Sequence, residues 1–190
     1  MGVIALSAKM AKADGIVTAD EVLAFRRVVD VPEAEAKNVS RLFELAQQTT
    51  DGYQAYAQQM AQSFGEDRAV LEDVLDVLFE IAKADGAVHE RELAFLADVA
   101  EIFGFSQADF ARISALHVIE ADGGDPYVVL GLSRDADDAE IKRRYRALVS
   151  ENHPDRAIAR GMPEEFVKVA NDKLAAINAA YDRIARERGI

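Results

Sequence analysis

Apolar residues recur three and four positions apart along most of this chain. Val74, Leu75, Leu78, Phe79 and Ala82 form one such series, and Leu93, Leu96, Val99, Ala100 and Phe103 form another. That spacing puts the apolar side chains on one face of a helix. No alternating run of β-branched residues between turn signals marks a strand, so the chain is predicted to be all-α. Over the first 120 residues the pattern predicts helices at 3–13, 18–29, 33–48, 51–63, 66–84, 89–103 and 106–118. The breaks at Asp14-Gly15, Val31-Pro32, Asp51-Gly52, Phe64-Gly65, Asp85-Gly86 and Gly104 supply the residues that stop helices and turn the chain.

Two of these breaks belong to an internal repeat. Met10 to Glu21, MAKADGIVTADE, aligns with Ile81 to Glu92, IAKADGAVHERE. Each copy ends an apolar helix, turns at Asp-Gly and begins the next helix, so two similar helical hairpins are expected to pack together. The paired KADG-x-V-x-x-x-E motifs resemble the TerB-like domain, an all-helical fold first associated with tellurite resistance, over residues 3–118.

Beyond the polar, glycine-rich stretch 120–124 the pattern changes. Asp125-Pro126-Tyr127 opens a short helix with proline in its first turn. A second helix runs to about Asn152, with Asp135 as its expected cap and Asp138 in an acidic first turn. Ile141, Tyr145, Leu148 and Asn152 share one face, while Lys142, Arg143 and Arg146 project from another. His153-Pro154-Asp155 follows, and the proline halts the helix because the residue before it is driven out of the α region. A loop is expected from Arg156 to Met162, then a long last helix from Pro163 to Glu187. Its stripe is Phe166, Ala170, Leu174, Ile177, Tyr181 and Ile184. Tyr127, Leu130, Ile141, Leu148, Ile177, Tyr181 and Ile184 are the expected core of this part.

The basic helix and its His-Pro-Asp bend resemble helix II and the signature loop of a J domain, through which DnaJ-type co-chaperones act on DnaK-type ATPases. With the TerB-like repeat ahead of it, the chain resembles the DjlA class of bacterial J proteins, whose longer crossover after the tripeptide it shares. Ala147, Asn152 and Leu174 depart from residues frequent in DnaJ at those places. The expected domains are a TerB-like bundle at 1–119, a linker at 120–124 and a J domain at 125–190. The resemblance implies a co-chaperone, not an enzyme. His153, Pro154 and Asp155 would engage the DnaK-type ATPase and speed its ATP hydrolysis. Lys142, Arg143 and Arg146 would steer the approach, with Tyr145 on the flank. The TerB-like domain would serve client selection, localisation, regulation or homodimer formation. The class begins with a membrane segment, so membrane attachment is expected only through a segment upstream of Met1, at the cytoplasmic face of the inner membrane.

Composition sharpens this picture at three points. Cysteine is absent, which removes disulfides and thiolate chemistry and fits a cytoplasmic location. No apolar run approaches the roughly 18 residues of a bilayer span; Val3-Ile4-Ala5-Leu6 is short and Lys9 and Lys12 follow it. Of the net charge of −12, residues 122–190 carry 12 Lys and Arg against 13 Asp and Glu, leaving the first 121 residues strongly acidic. Such a body repels nucleic acid, so no nucleic-acid partner is expected. Ser150, His153 and Asp155 lie within one turn, too close in sequence to lay out a nucleophile–base–carboxylate chain in space.

No cofactor is required by this reading, but the acidic repeat raises a rival: a metal-binding stress-response module whose J domain is secondary. Placed on an EF-hand loop, each copy puts Met10 and Lys12, or Ile81 and Lys83, where calcium needs oxygen ligands, so neither is an EF-hand. Asp14, Glu21, Asp85 and Glu92 would instead have to join around one divalent cation. The simpler reading has Asp-Gly closing one helix, Thr18 capping the next and Glu21 completing a capping box. On that reading, calorimetric titration with calcium, magnesium or zinc from micromolar to millimolar gives no binding heat. A saturable heat lost on Glu92→Gln would establish the metal site instead.

Overall fold

The computed structural model describes residues 2–10, 12, 41, 51–65, 67–117, 124–159 and 164–190. Among them there are helices, one 3₁₀ turn and no strand. The chain divides into two compact units, Met1–Ser106 and Gln107–Ile190. The expected helices at 18–29 and 33–48, and the linker at 120–123, fall outside the described residues.

The first unit contains α1 (Gly2–Met10), α2 (Tyr53–Phe64), α3 (Arg68–Ala82) and α4 (Glu90–Ile102). Helix α3 is its axis, packed against α1, α2 and α4. Every residue from Val74 to Phe79 is buried, so the helix is enclosed nearly all round and even Asp76 is 1% exposed. Arg68 fixes its start: the guanidinium donates to the Gly104 carbonyl at 3.0 Å and lies 4.7 Å from the Phe105 ring centre. The 3₁₀ turn Lys83–Asp85 ends at Gly86, whose φ of 117° suits a residue with no Cβ. Helix α4 then starts after His89, whose backbone N–H donates to Glu92 Oε2 at 2.8 Å. With the His89 side chain facing the Glu92 N–H, it forms a capping box like the one expected at Thr18 and Glu21 of the first copy.

The second unit contains α5 (Gln107–His117), α6 (Pro126–Leu130), α7 (Asp138–Glu151), α8 (Pro154–Ala159) and α9 (Glu164–Arg188). Its core holds Tyr127, Leu130, Ile141, Leu148, Ile177 and Ile184, as the pattern predicts, while Tyr181 packs at the margin half-buried. Each aliphatic side chain sunk this way contributes about 1.5–3 kcal/mol. Tyr145 of α7 faces Asn178 and Tyr181 of α9, whereas Asp138 faces Arg188, so α7 and α9 run antiparallel.

Three expectations give way here. Helix α8 replaces the first half of the loop expected at 156–162, because Pro154 supplies a preset first-turn φ and Asp155 an acidic first turn. The buried stripe of α9 is Val169, Lys173, Ile177, Ala180 and Ile184, rotated from the expected one in its first half, where α8 packs against it. Asp137, not Asp135, caps α7; its Oδ1 accepts the Glu140 N–H at 2.7 Å. Asp135 instead accepts the Ser133 hydroxyl, which holds its carboxyl below the usual range. His117 of α5 is buried in this unit, 5% exposed.

Arg188 ties the end of α9 to the start of α7. It donates to the Ala136 carbonyl at 2.6 Å, to the Arg134 carbonyl, to the Tyr127 hydroxyl at 2.9 Å and to Asp138 at 3.4 Å. Arg186, two residues earlier, bonds only within its own helix, to the Asp182 carbonyl at 3.1 Å. Arg188→Ala should therefore lower the midpoint of thermal unfolding of this unit clearly more than Arg186→Ala. Equal effects would show that the clamp contributes nothing.

In the first unit, the Tyr53 hydroxyl donates to Asp98 Oδ2 at 2.7 Å, and its ring lies 4.5 Å from that of Phe95. Burial, then the hydrogen bond and charge of Asp98, push its pKa from 10.0 up to about 12. A raised folded-state pKa means that this contribution is complete below pH 10 and is lost as pH rises towards about 12. In a phenolate absorbance titration one of the five tyrosines should ionise late, and Tyr53→Phe should remove that step.

Candidate functional site

The candidate site is the exposed end of α7 and the bend that follows it. Ile141 and Leu148 face the core, which turns Lys142, Arg143 and Arg146 to solvent. Arg143 lies 3.9 Å from Glu140, and Arg146 Nε donates to the Lys142 carbonyl at 3.1 Å, holding its guanidinium along the helix surface. Exposed pairs of this kind contribute little to stability, so the charge on this face is left for long-range attraction.

Tyr145 sits beside that face with its ring stacked on Tyr181, centroids 4.0 Å apart and planes 12° from parallel. Its hydroxyl donates to Asn178 Oδ1 at 3.0 Å. The contact joins α7 to α9 about two turns before the bend and sets the direction in which the helix ends.

Asn152 closes α7, its side-chain amide donating to the Leu148 carbonyl at 2.8 Å. His153 is then free of helical constraint, and Pro154 starts α8. The Asp155 backbone N–H donates to His153 Nδ1 at 3.2 Å, while the Asp155 carboxylate lies 3.5 Å from the same nitrogen. The two side chains are 47% and 80% exposed. Arg156, next along, donates to the Ser150 carbonyl at 3.4 Å and closes the bend back onto α7.

The basic residues of α7 divide by role. Arg144, on the same helix, donates to the Leu130 carbonyl at 3.2 Å and lies 3.6 Å from Glu151. It belongs to the packing, not to the exposed face. The Asp137 cap did have a sequence signal, since Glu140 follows it by the three residues of a capping box. Arg188 had none, because a terminal arginine on a polar helix carries no mark of its partners.

The acidic repeat has a different outcome. Asp14 and Glu21 lie outside the described residues, as does the side chain of Asp85. Glu92 is 1% exposed and caps α4. Among the described residues no group of three or more His, Cys, Asp or Glu side chains is placed to hold a metal ion. Nor is any described helix long and apolar enough to cross a membrane.

Comparison with known proteins accords with both halves. The Tellurite resistance protein TerB family matches residues 1–115, and the DnaJ domain family matches residues 125–188. A Co-chaperone protein DjlA from Photobacterium profundum is 30% identical over 97% of this chain and 76% of its own length. One from Coxiella burnetii is 30% identical over 95% of this chain and 74% of its own. One from Shewanella oneidensis is 35% identical over 61% of this chain, which spans about half of that relative, 48% of its length. No solved structure matches the chain. A basic helix ending in an exposed His-Pro-Asp bend, a TerB match ahead of a DnaJ match, and DjlA relatives aligned along nearly the whole sequence lead to one conclusion: the chain belongs to the DjlA family of J-domain co-chaperones.

Proposed function

We propose that the J-domain unit docks on a DnaK-type ATPase through His153, Pro154 and Asp155, and that this contact accelerates the partner's ATP hydrolysis. Lys142, Arg143 and Arg146 draw the two proteins together, and Tyr145 lies at the flank of the contact. The chain itself breaks no bond. The TerB-like region then selects a client, a location or a regulatory partner.

The observation that supports this reading best is the state of the bend. His153 and Asp155 are polar and exposed, yet the Asp155 N–H donates to His153 Nδ1, and the neighbouring Arg156 is tied back to the Ser150 carbonyl. A preorganised donor–carboxylate pair spends little conformational entropy on binding. The basic face next to it favours an acidic partner and raises the association rate, an effect that salt screens.

Single-turnover ATP hydrolysis by the host's DnaK-type protein tests the proposal. The native chain should accelerate it, and His153→Gln should abolish the acceleration while the unfolding midpoint stays unchanged. Arg146→Glu should raise the half-maximal concentration about tenfold with the plateau retained, and added salt should weaken the native chain in the same way. No acceleration by the native chain would overturn the reading.

A further inference from the structure

We infer that α5 is a buttress of the J-domain unit, and that Arg112 on it is a positioning residue for Arg144 and hence for the recognition helix α7. The functional half of this inference rests on the reading just given.

Helix α5 falls largely within the stretch that matches the TerB family, residues 1–115, yet the compact unit that carries the J domain begins at Gln107. It packs on α6 and on α9. Ile113 is fully buried, and Ala115 and Leu116 lie against the core cluster that holds Leu130, Ile141 and Leu148. Removing α5 would therefore bare one side of that cluster.

The connection to α7 passes through Gly131. This residue ends α6 with a φ of 67°, and a Cβ built on it would meet Arg112 Cδ at 3.1 Å and Arg144 Nη2 at 3.9 Å. The Arg112 stem thus lies in the space that the missing side chain leaves. Arg112 is 5% exposed, so its stem is a packed wall and not a surface whip. Arg144 rests at the same place and donates to the Leu130 carbonyl, one residue before the glycine. With the wall removed, Arg144 has a cavity to fall into and loses the geometry of that bond. Because Arg144 sits between Arg143 and Tyr145, a shift there moves the exposed basic face.

The full-length chain tests this with two readouts. Hydrogen exchange comes first. Arg112→Ala should lower amide protection about tenfold across residues 138–151 and around Leu132, and leave residues 68–102 unchanged. Arg112→Lys, which keeps most of the stem, should restore it. Unchanged protection in 138–151 would overturn the buttress. The second readout is a double-mutant cycle on unfolding midpoints, which holds even if one variant is strongly destabilised. Gly131→Ala should cost less in the Arg112→Ala background than in the native chain, because the clash partner has gone. Additive effects would show that the contact positions nothing. In the ATPase assay Arg112→Ala should raise the half-maximal concentration and keep the plateau. If the native chain gives no stimulation the proposed function fails, while the exchange result still decides the buttress.

Discussion

The placement of the His-Pro-Asp bend depends on how α7 seats against α9. Two helices that share Ile141, Leu148, Ile177 and Ile184 in a dry core cannot slide or rotate without opening a cavity, and a lost buried Leu or Ile side chain costs about 2–5 kcal/mol. The Tyr145–Tyr181 stack fixes the rotation of α7 near its middle, and Arg188 fixes its start. With both settled, Asn152 ends the helix at a defined height and Pro154 begins the next one. The bend is thus placed by the packing of the helix before it.

Arginine is used in this unit in two opposed ways. Arg112, Arg134, Arg144 and Arg188 spend their guanidinium or stem on carbonyls, rings and neighbouring backbone, as with Arg134 on Asp125 at 2.9 Å and over the Tyr127 ring. Lys142, Arg143 and Arg146 stay at the surface. A planar fork with five donors bridges several carbonyls at once, which a lysine does not. This separation keeps the exposed face of α7 basic although the unit as a whole is nearly neutral. The acidic surplus lies in the first 121 residues, so charge and sequence both distinguish the two parts of the chain.

In the second copy of the acidic repeat, capping geometry accounts for the acid that is described. Glu92 is bound to the His89 N–H and enclosed by the bundle. A carboxylate engaged this way serves the helix start, which explains why the motif pairs Asp-Gly with a glutamate seven residues after the aspartate. The turn ends one helix and the glutamate begins the next.

The helical class, the repeat, the short proline-led helix, the basic face and most of the J-domain core were legible in the sequence, because each is a local matter of periodicity, capping or proline geometry. The His-Pro-Asp bend was legible for the same reason. What the sequence left open were facts set by contacts between residues far apart in the chain. Lys173 in a buried stripe, the burial of His117, the seating of α5 with the J-domain unit, and the bond of Arg144 to the Leu130 carbonyl all depend on which surface meets which. Helix α8 escaped for a subtler reason. Proline ends the helix before it and favours the first turn of the helix after it, and only the packing of α8 on α9 decided that a second helix forms. Local physics thus determined the elements and the chemistry they carry, while tertiary packing decided which of those polar groups face outward to a partner and which are held within the fold.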